Sequence, residues 1–357
     1  MKRILIINPF GIGDCLFTAP VIKNLKINYP ESFIGYWCNE RVKDLLKNIP
    51  GIDRIFALSR GDLKKIFQQS KLLGIKSSLD LYRQIKKEHF DLAVDFSLDH
   101  RYGFVAKLCA IRERIGFDYK GRGRFLTKKL KLSGYVDKHA IEYYLDLLRL
   151  IDLEPKNFDL ELKVDSGAKD RVKQILAQAG VNQSTLLIAM AAGAGASWGL
   201  EANLKHWPAE NYSLLADSLI ERSNAKIMLL GDASELPIAQ TIISSMQHKA
   251  IDLVGKTSLA EFAAAIDCAQ LLITNDGGPL HIAVALGKKT LSFFGPVDPK
   301  VYGPFAAQKN RHMVLRRNLE CSPCYRNFSL VPCKAKHECL VKIDVAQALE
   351  AATALLS

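Results

Sequence analysis

Two short glycine-bearing motifs carry the residues of this sequence best suited to chemistry. The first, Asn8-Pro9-Phe10-Gly11-Ile12-Gly13-Asp14, follows the apolar run Ile4-Leu5-Ile6-Ile7. Its glycines permit a tight turn and close approach of backbone to a ligand. Asp14 stands where a helix should begin, so it would serve as an N-cap. It would equally serve as a strand-end carboxylate that takes a proton as general base, and one residue can do both. The motif is not a dinucleotide fingerprint, because the third glycine is missing and Thr18 stands nearby. The second motif is Thr274-Asn275-Asp276-Gly277-Gly278-Pro279-Leu280-His281. Two glycines opening a helix leave backbone N–H groups available to an anion. His281 falls about one turn into that helix, either as a core side chain or as a ligand to what the loop binds.

Three further regions add candidates. Gly193, Gly195 and Gly199 follow an apolar run and precede Lys205-His206-Trp207-Pro208, which opens another helix. Lys205 is either an ordinary solvated lysine or a point charge for a diphosphate. Glu235, after Gly231-Asp232, is a first-turn helix acid or an acceptor for ribose hydroxyls. From Lys120 to Lys131 six of twelve residues are basic and none is acidic, with Arg122, Arg124, Lys128 and Lys129 among them. That run is a solvated loop or a grip on a large anionic acceptor. Finally, Cys321, Cys324, Cys333 and Cys339 cluster near the end, with His337 as a spare ligand. Their spacing admits a structural zinc site, disulfides or reduced thiols.

These motifs need a scaffold, and the chain supplies a regular one. With 357 residues, 48% hydrophobic and 24% charged, it has the size of two domains and a composition that excludes disorder, collagen and coiled coil. Apolar runs at 3–8, 32–37, 54–58 and 92–96 alternate with helical stretches near 15–27, 41–48, 62–74, 78–89, 101–110 and 139–151. After a polar linker at 153–165 the alternation restarts, with strands near 186–191, 226–230, 251–253, 271–274 and 290–294. Helices are expected near 168–179, 209–222, 234–247, 258–267, 280–286 and 344–356. This pattern predicts an α/β protein of two doubly wound, Rossmann-like domains facing a central cleft. The expected division is 1–160, 166–342, and a terminal helix in 343–357 packing back toward the first domain. The start Met1-Lys2-Arg3 followed by four apolar residues is too short for a signal peptide, and no stretch reads as a bilayer span. A soluble, cytoplasmic chain is expected. Charge is uneven: positions 1–150 hold 28 basic and 16 acidic residues, a balance of +12, while 151–357 hold 21 of each. The first half should therefore meet an anionic partner.

Four marks in order, Gly11-Ile12-Gly13-Asp14, Lys205-His206-Trp207-Pro208, Asp276-Gly277-Gly278-Pro279-x-His281 and the late cysteines, resemble glycosyltransferase family 9, the lipopolysaccharide heptosyltransferases. The resemblance runs nearly the whole chain, and the cysteine cluster is more like the type II branch. It implies a GT-B fold with acceptor on the first domain and nucleotide-sugar on the second. It implies inverting, metal-independent transfer of a heptose from ADP-L-glycero-D-manno-heptose to the lipopolysaccharide inner core, at the cytoplasmic face of the inner membrane. Asp14 would be the base. Lys205 would hold the diphosphate, Glu235 the ribose, and Asp276, Gly277, Gly278 and His281 the donor sugar and phosphates. Gly13, Arg122, Arg124, Lys128 and Lys129 would face the acceptor, and no cofactor would be required beyond a possible structural zinc. Two departures lie on the donor side: Gly277 stands where many members carry Ser or Thr, and the loop Ala194–Leu204 looks long. Competing readings are a GT-B transferase with another nucleotide-sugar, and a basic nucleic-acid-binding protein with a four-cysteine module.

Overall fold

Ile4 to Ile7 are wholly buried, as the near-continuous apolar run of a strand covered on both faces requires. They form the heart of β1 (Arg3–Ile7), in a computed structural model that describes residues 1–305 and 308–357, apart from the side chains of residues 196, 197, 198 and 200. The chain divides into two units, Met1–Glu161 and Leu162–Ser357. The other strands of the first unit are β2 (Phe33–Cys38), β3 (Arg54–Ala57), β4 (Leu92–Asp95), β5 (Glu113–Tyr119) and β6 (Lys128–Leu132). Its helices are α1 (Ile12–Leu16), α2 (Ala19–Asn28), α3 (Lys43–Leu46), α4 (Arg60–Gln69), α5 (Lys71–Lys87), α6 (His100–Leu108) and α7 (Ala140–Arg149). The strands are parallel in the order β3-β2-β1-β4-β5-β6. That is the doubly wound order, with its reversal between β1 and β4.

The second unit repeats the plan. Its strands are β7 (Leu187–Ala191), β8 (Lys226–Leu229), β9 (Ile251–Asp252), β10 (Leu271–Asn275), β11 (Lys289–Phe293) and β12 (His312–Leu315), followed by a small hairpin of β13 (Tyr325–Arg326) and β14 (Ser329–Leu330). Its helices are α8 (Ser166–Gln178), α9 (Ala209–Ser223), α10 (Leu236–Ser245), α11 (Leu259–Cys268), α12 (Gly278–Ala285), α13 (Pro299–Tyr302), α14 (Glu338–Val341) and α15 (Val345–Leu356). The sheet order β12-β11-β10-β7-β8-β9, all parallel, places the first and fourth strands of the unit side by side, as in the first. Ala348, Leu349, Ala352 and Leu355 of α15 lie in the core cluster of this second unit. Trp207 stacks on Phe293 at 4.2 Å and donates its indole N–H to Ile343 O at 3.0 Å. The tryptophan thus nails the approach to the last helix onto the sheet.

The expected doubly wound pair is therefore present, with local differences. The helix expected over 15–27 is two helices, because Pro20 lies at the start of α2 and has no N–H to continue α1. The break expected after residue 74 falls instead at Ser70, whose hydroxyl caps α5 by accepting from Leu73 N–H. Gly74 does not interrupt the helix; it lets α5 approach Phe67, whose ring lies 2.5 Å from where a Cβ would stand. The strands β5, β6 and β12 and the β13–β14 hairpin fall where the apolar pattern predicts no strand. In β6 the sequence Lys-Lys-Leu-Lys-Leu reads as a charged loop, yet it is an edge strand, where lysines discourage pairing with another chain.

Candidate active site

Of the residues singled out from the sequence, Gly13 and Asp14 lie just past β1 in the first unit, and Asp276, Gly277, Gly278 and His281 just past β10 in the second, at the carboxyl ends of central strands, where doubly wound folds bind ligands. In the first unit the loop after β1 is held by Asn8, which is fully buried. Its amide donates to Asp14 O at 2.9 Å, and its side-chain oxygen accepts from Phe10 N–H at 3.2 Å. Asn39 ties the same loop by donating to Pro9 O at 3.0 Å. Gly11, not Asp14, occupies the N-cap of α1, and Asp14 sits in the first turn with Gly13 before it. The capping role is therefore not the one Asp14 performs, although a carboxylate there still faces the positive end of the helix. Asp14 is half-buried and accepts from the Tyr144 hydroxyl at 3.5 Å. Tyr144 is itself packed among Phe17, Phe96, Phe117 and Tyr135.

A second carboxylate, missed in the sequence, ends the neighbouring strand β4. Asp95 is buried and accepts from Ser97 N–H at 2.8 Å. Loss of solvent pushes its carboxyl up to about 6, against the smaller opposing pull of the Ser97 hydrogen bonds. The signal was available: an aspartate closing an apolar strand at the reversal of strand order is placed by topology, not by any motif.

In the second unit Lys205 and Asp276 form an ion pair at 2.7 Å, both nearly excluded from solvent. Asp276 comes from the end of β10, immediately before α12. Asn275 fixes the geometry by accepting from Trp207 N–H at 3.0 Å and donating to Gly193 O at 3.3 Å. One asparagine thereby joins the loop after β7, the Lys205 step and the Asp276 loop. Gly277 is the N-cap residue of α12 and, lacking a side chain, gives the first turn no side-chain cap. A Cβ there would lie 3.3 Å from Ala194 O, so the glycine also lets the two loops close on each other. Gly278 opens the helix. His281, one turn in, is buried. Desolvation, reinforced by the Lys205 charge, pulls its imidazole down to about 3, which makes it a neutral hydrogen-bonding group.

Glu235 lies beyond β8 and belongs to a capping box. Its carboxylate accepts from Asp232 N–H at 3.0 Å and from Gly195 N–H at 3.1 Å. Burial raises its carboxyl above the usual range. Gly193 and Gly231 are glycines for space: a Cβ at 193 would stand 1.6 Å from Glu235 Oε1, and one at 231 would stand 2.7 Å from Oε2. An apolar recess with Leu229, Leu230, Ile238 and Val254 in its walls opens beside Glu235. In the loop before Lys205 the backbone turns as a tight helix over Ala196–Lys205, interrupted at Gly199. The side chains at 196, 197, 198 and 200 lie outside the described residues.

The four cations assigned to the acceptor separate into two pairs. Lys128 pairs with Glu113 at 3.1 Å and Lys129 with Asp118 at 2.9 Å, both across the β5–β6 edge. Arg122 lies over the Tyr119 ring at 5.6 Å and Arg124 over the Phe125 ring at 5.0 Å. Of the cysteines, Cys339 is buried, Cys324 half-buried, and Cys321 and Cys333 exposed; all four are free thiols. Among the described residues no group of three or more His, Cys, Asp or Glu side chains is arranged to hold a metal ion. The zinc site admitted by the spacing is thus not assembled, and neither are the disulfides. Burial, with the neighbouring thiols adding to it, pushes Cys339 up to about 11, which favours the thiol. No described helix is long and apolar enough to cross a membrane.

The family model for glycosyltransferase family 9 (heptosyltransferase) matches residues 78–335. The chain is 25% identical over 310 residues to lipooligosaccharide heptosyltransferase 2 of Haemophilus influenzae, covering 85% of this chain and 86% of that one. It is 25% identical over 334 residues to lipopolysaccharide heptosyltransferase 3 of Escherichia coli K12, covering 90% and 92%. Among solved structures, a family 9 glycosyl transferase from Veillonella parvula superposes with a TM-score of 0.83 at 23% identity, over 99% of this chain and 97% of that one. The ADP-heptose lipopolysaccharide heptosyltransferase II of Escherichia coli gives 0.76 at 22%, over 100% and 98%.

Proposed function

The chain belongs to glycosyltransferase family 9, the heptosyltransferases, and from that premise we propose that it transfers a heptose from ADP-L-glycero-D-manno-heptose to the inner core of lipopolysaccharide. The enzyme would work with inversion and without a metal, at the cytoplasmic face of the inner membrane. The observation that carries this reading is the buried Lys205–Asp276 pair set before the uncapped N-terminus of α12. Breaking a sugar–diphosphate bond leaves negative charge on the departing nucleotide. A fixed ammonium group and a row of backbone N–H groups stabilise that charge as it develops, at little reorganisation cost. The Glu235 carboxylate suits a ribose, from whose hydroxyls it can accept hydrogen bonds. Neutral His281 offers a hydrogen bond to the donor and adds no charge.

In the transfer step the acceptor hydroxyl oxygen attacks the anomeric carbon as the bond from that carbon to the diphosphate oxygen breaks. ADP leaves with the electron pair, and the hydroxyl proton passes to Asp14. Asn8 holds the Asp14 backbone and Tyr144 its carboxylate. Gly13 keeps the turn open for the acceptor. Arg122 and Arg124, backed by aromatic rings, meet the anionic groups of the lipid-linked oligosaccharide, with Lys128 and Lys129 adding to the field.

Steady-state kinetics on purified protein with ADP-heptose and a lipid-linked acceptor test this reading. Asp14→Asn should lower kcat by about 10²–10⁴ while ADP affinity stays within about twofold, and wild-type turnover by that variant would falsify the base assignment. A panel of ADP-, UDP- and GDP-sugars should give transfer from the ADP-heptose alone, and EDTA should leave the rate unchanged. Transfer from a different donor sugar would overturn the donor.

A further inference from the structure

Helix α5 is apolar on two opposite sides, and only one of them is buried among the described residues. At about 100° per residue, Gly74, Leu81 and Ile85 share one face, and these are its buried residues. Leu72, Ile75 and Leu79 fall within about 60° of one another on the opposite face, where they are 80%, 51% and 45% exposed. Leu73, at the same end of the helix, and Phe67 of α4 are exposed as well. A surface helix ordinarily shows a polar outer face, so this stripe needs an account.

The surrounding charge supplies one. Residues 60–87 contain eight basic and two acidic residues. Asp62 is engaged in the capping box of α4, and Asp80 lies 3.5 Å from Arg83. Among the described residues no ion pair involves Lys64, Lys65, Lys71, Lys76 or Lys87. Leucine and isoleucine on an outward face, flanked by unpaired lysines, is the pattern of a helix that lies in the headgroup region of an anionic bilayer. The Phe67–Gly74 contact packs α4 and α5 together as one hairpin, which presents the patch. We propose that the α4–α5 hairpin docks the enzyme on an anionic membrane surface, with Leu72, Ile75 and Leu79 inserted below the headgroups and the lysines against lipid phosphates. The proposal rests on the lipid-linked acceptor of the reading above and names the surface that brings the enzyme to it.

Flotation with vesicles tests it. Wild type should float with phosphatidylethanolamine vesicles containing phosphatidylglycerol and stay behind with phosphatidylcholine alone. Leu72→Ser/Ile75→Ser should reduce partitioning at least about tenfold. Lys64→Gln/Lys65→Gln/Lys76→Gln should reduce it roughly fivefold per lysine at low salt. Both variants should keep wild-type kcat and KM on a water-soluble acceptor lacking acyl chains. Vesicle binding unchanged in both variants overturns the docking site, as does a wild-type dimer that becomes monomeric in Leu72→Ser/Ile75→Ser, which would make the stripe a self-association surface. Wild type that transfers heptose yet never floats defeats the docking proposal alone, whereas wild type that floats but transfers nothing defeats the transferase reading alone.

Discussion

Asp95 illustrates how far a single side chain can go unnoticed. It matches no motif, yet β4 carries it to the reversal point of the first sheet, beside the loop of Asp14. Its neutral form stabilises the fold fully below pH of about 4, and that contribution is lost as the pH rises through about 6, roughly 3 kcal/mol in all. Asp95→Asn should therefore raise Tm at pH 8 and leave it unchanged at pH 4, as followed by circular dichroism; an equal shift at both values would contradict the assigned burial. The Lys205–Asp276 pair obeys a different rule. Removing one partner leaves a buried charge alone, so Lys205→Met should destabilise by about 3–5 kcal/mol. Lys205→Met/Asp276→Leu should recover most of the lost Tm while ADP-heptose binding stays weak by calorimetry. Gly193 has a third kind of reason for its identity, since any side chain there collides with Glu235; no sequence rule distinguishes a glycine that makes room for a carboxylate from one that turns a chain.

At the scale of elements, the apolar cores of the strands were legible and their polar edges were not. The central strands β1, β4, β7 and β10 are apolar runs buried on both faces, and each stands out in the sequence. The edge strand β6 does not, because its outer positions are lysines and only Leu132 is buried. Misreading it as a loop also merged four cations into one group. The strand pairs Lys128 and Lys129 with carboxylates of β5, whereas Arg122 and Arg124 sit on aromatic rings in the turn before it. Arg122→Ala/Arg124→Ala should accordingly raise acceptor KM at least about tenfold, and Lys128→Ala/Lys129→Ala about twofold, since exposed ion pairs hold their charges locally. Equal effects would show that the pairing does not matter to the acceptor. The site loops were legible because glycine, aspartate and proline mark strand-to-helix junctions by type. The ties between them were not, since Asn275 joins three segments distant in sequence.

For the molecule as a whole, one topology is used twice with different chemistry at the reversal of each sheet. The first unit sets Asp14 and Asp95 there in a body of 29 basic and 20 acidic residues, a balance of +9; the second sets Lys205 and Asp276 in one of 20 basic and 17 acidic residues, a balance of +3. Hydrogen exchange with ADP should slow at 191–195, 231–236 and 275–282 and remain unchanged across 1–161; slowing confined to the first unit would reverse the assignment of donor and acceptor. The shared strand order has a further consequence during synthesis. β1 finds β2 about thirty residues later, but its other side is completed only by β4, through Ile4 beside Leu92. At ribosomal speeds of about 5–20 residues per second, the most apolar strand of the first sheet emerges with one flank bare for roughly 4–20 s. β7 waits similarly for β10. Nascent chains of this protein should thus be clients of chaperones that shield unpaired strands.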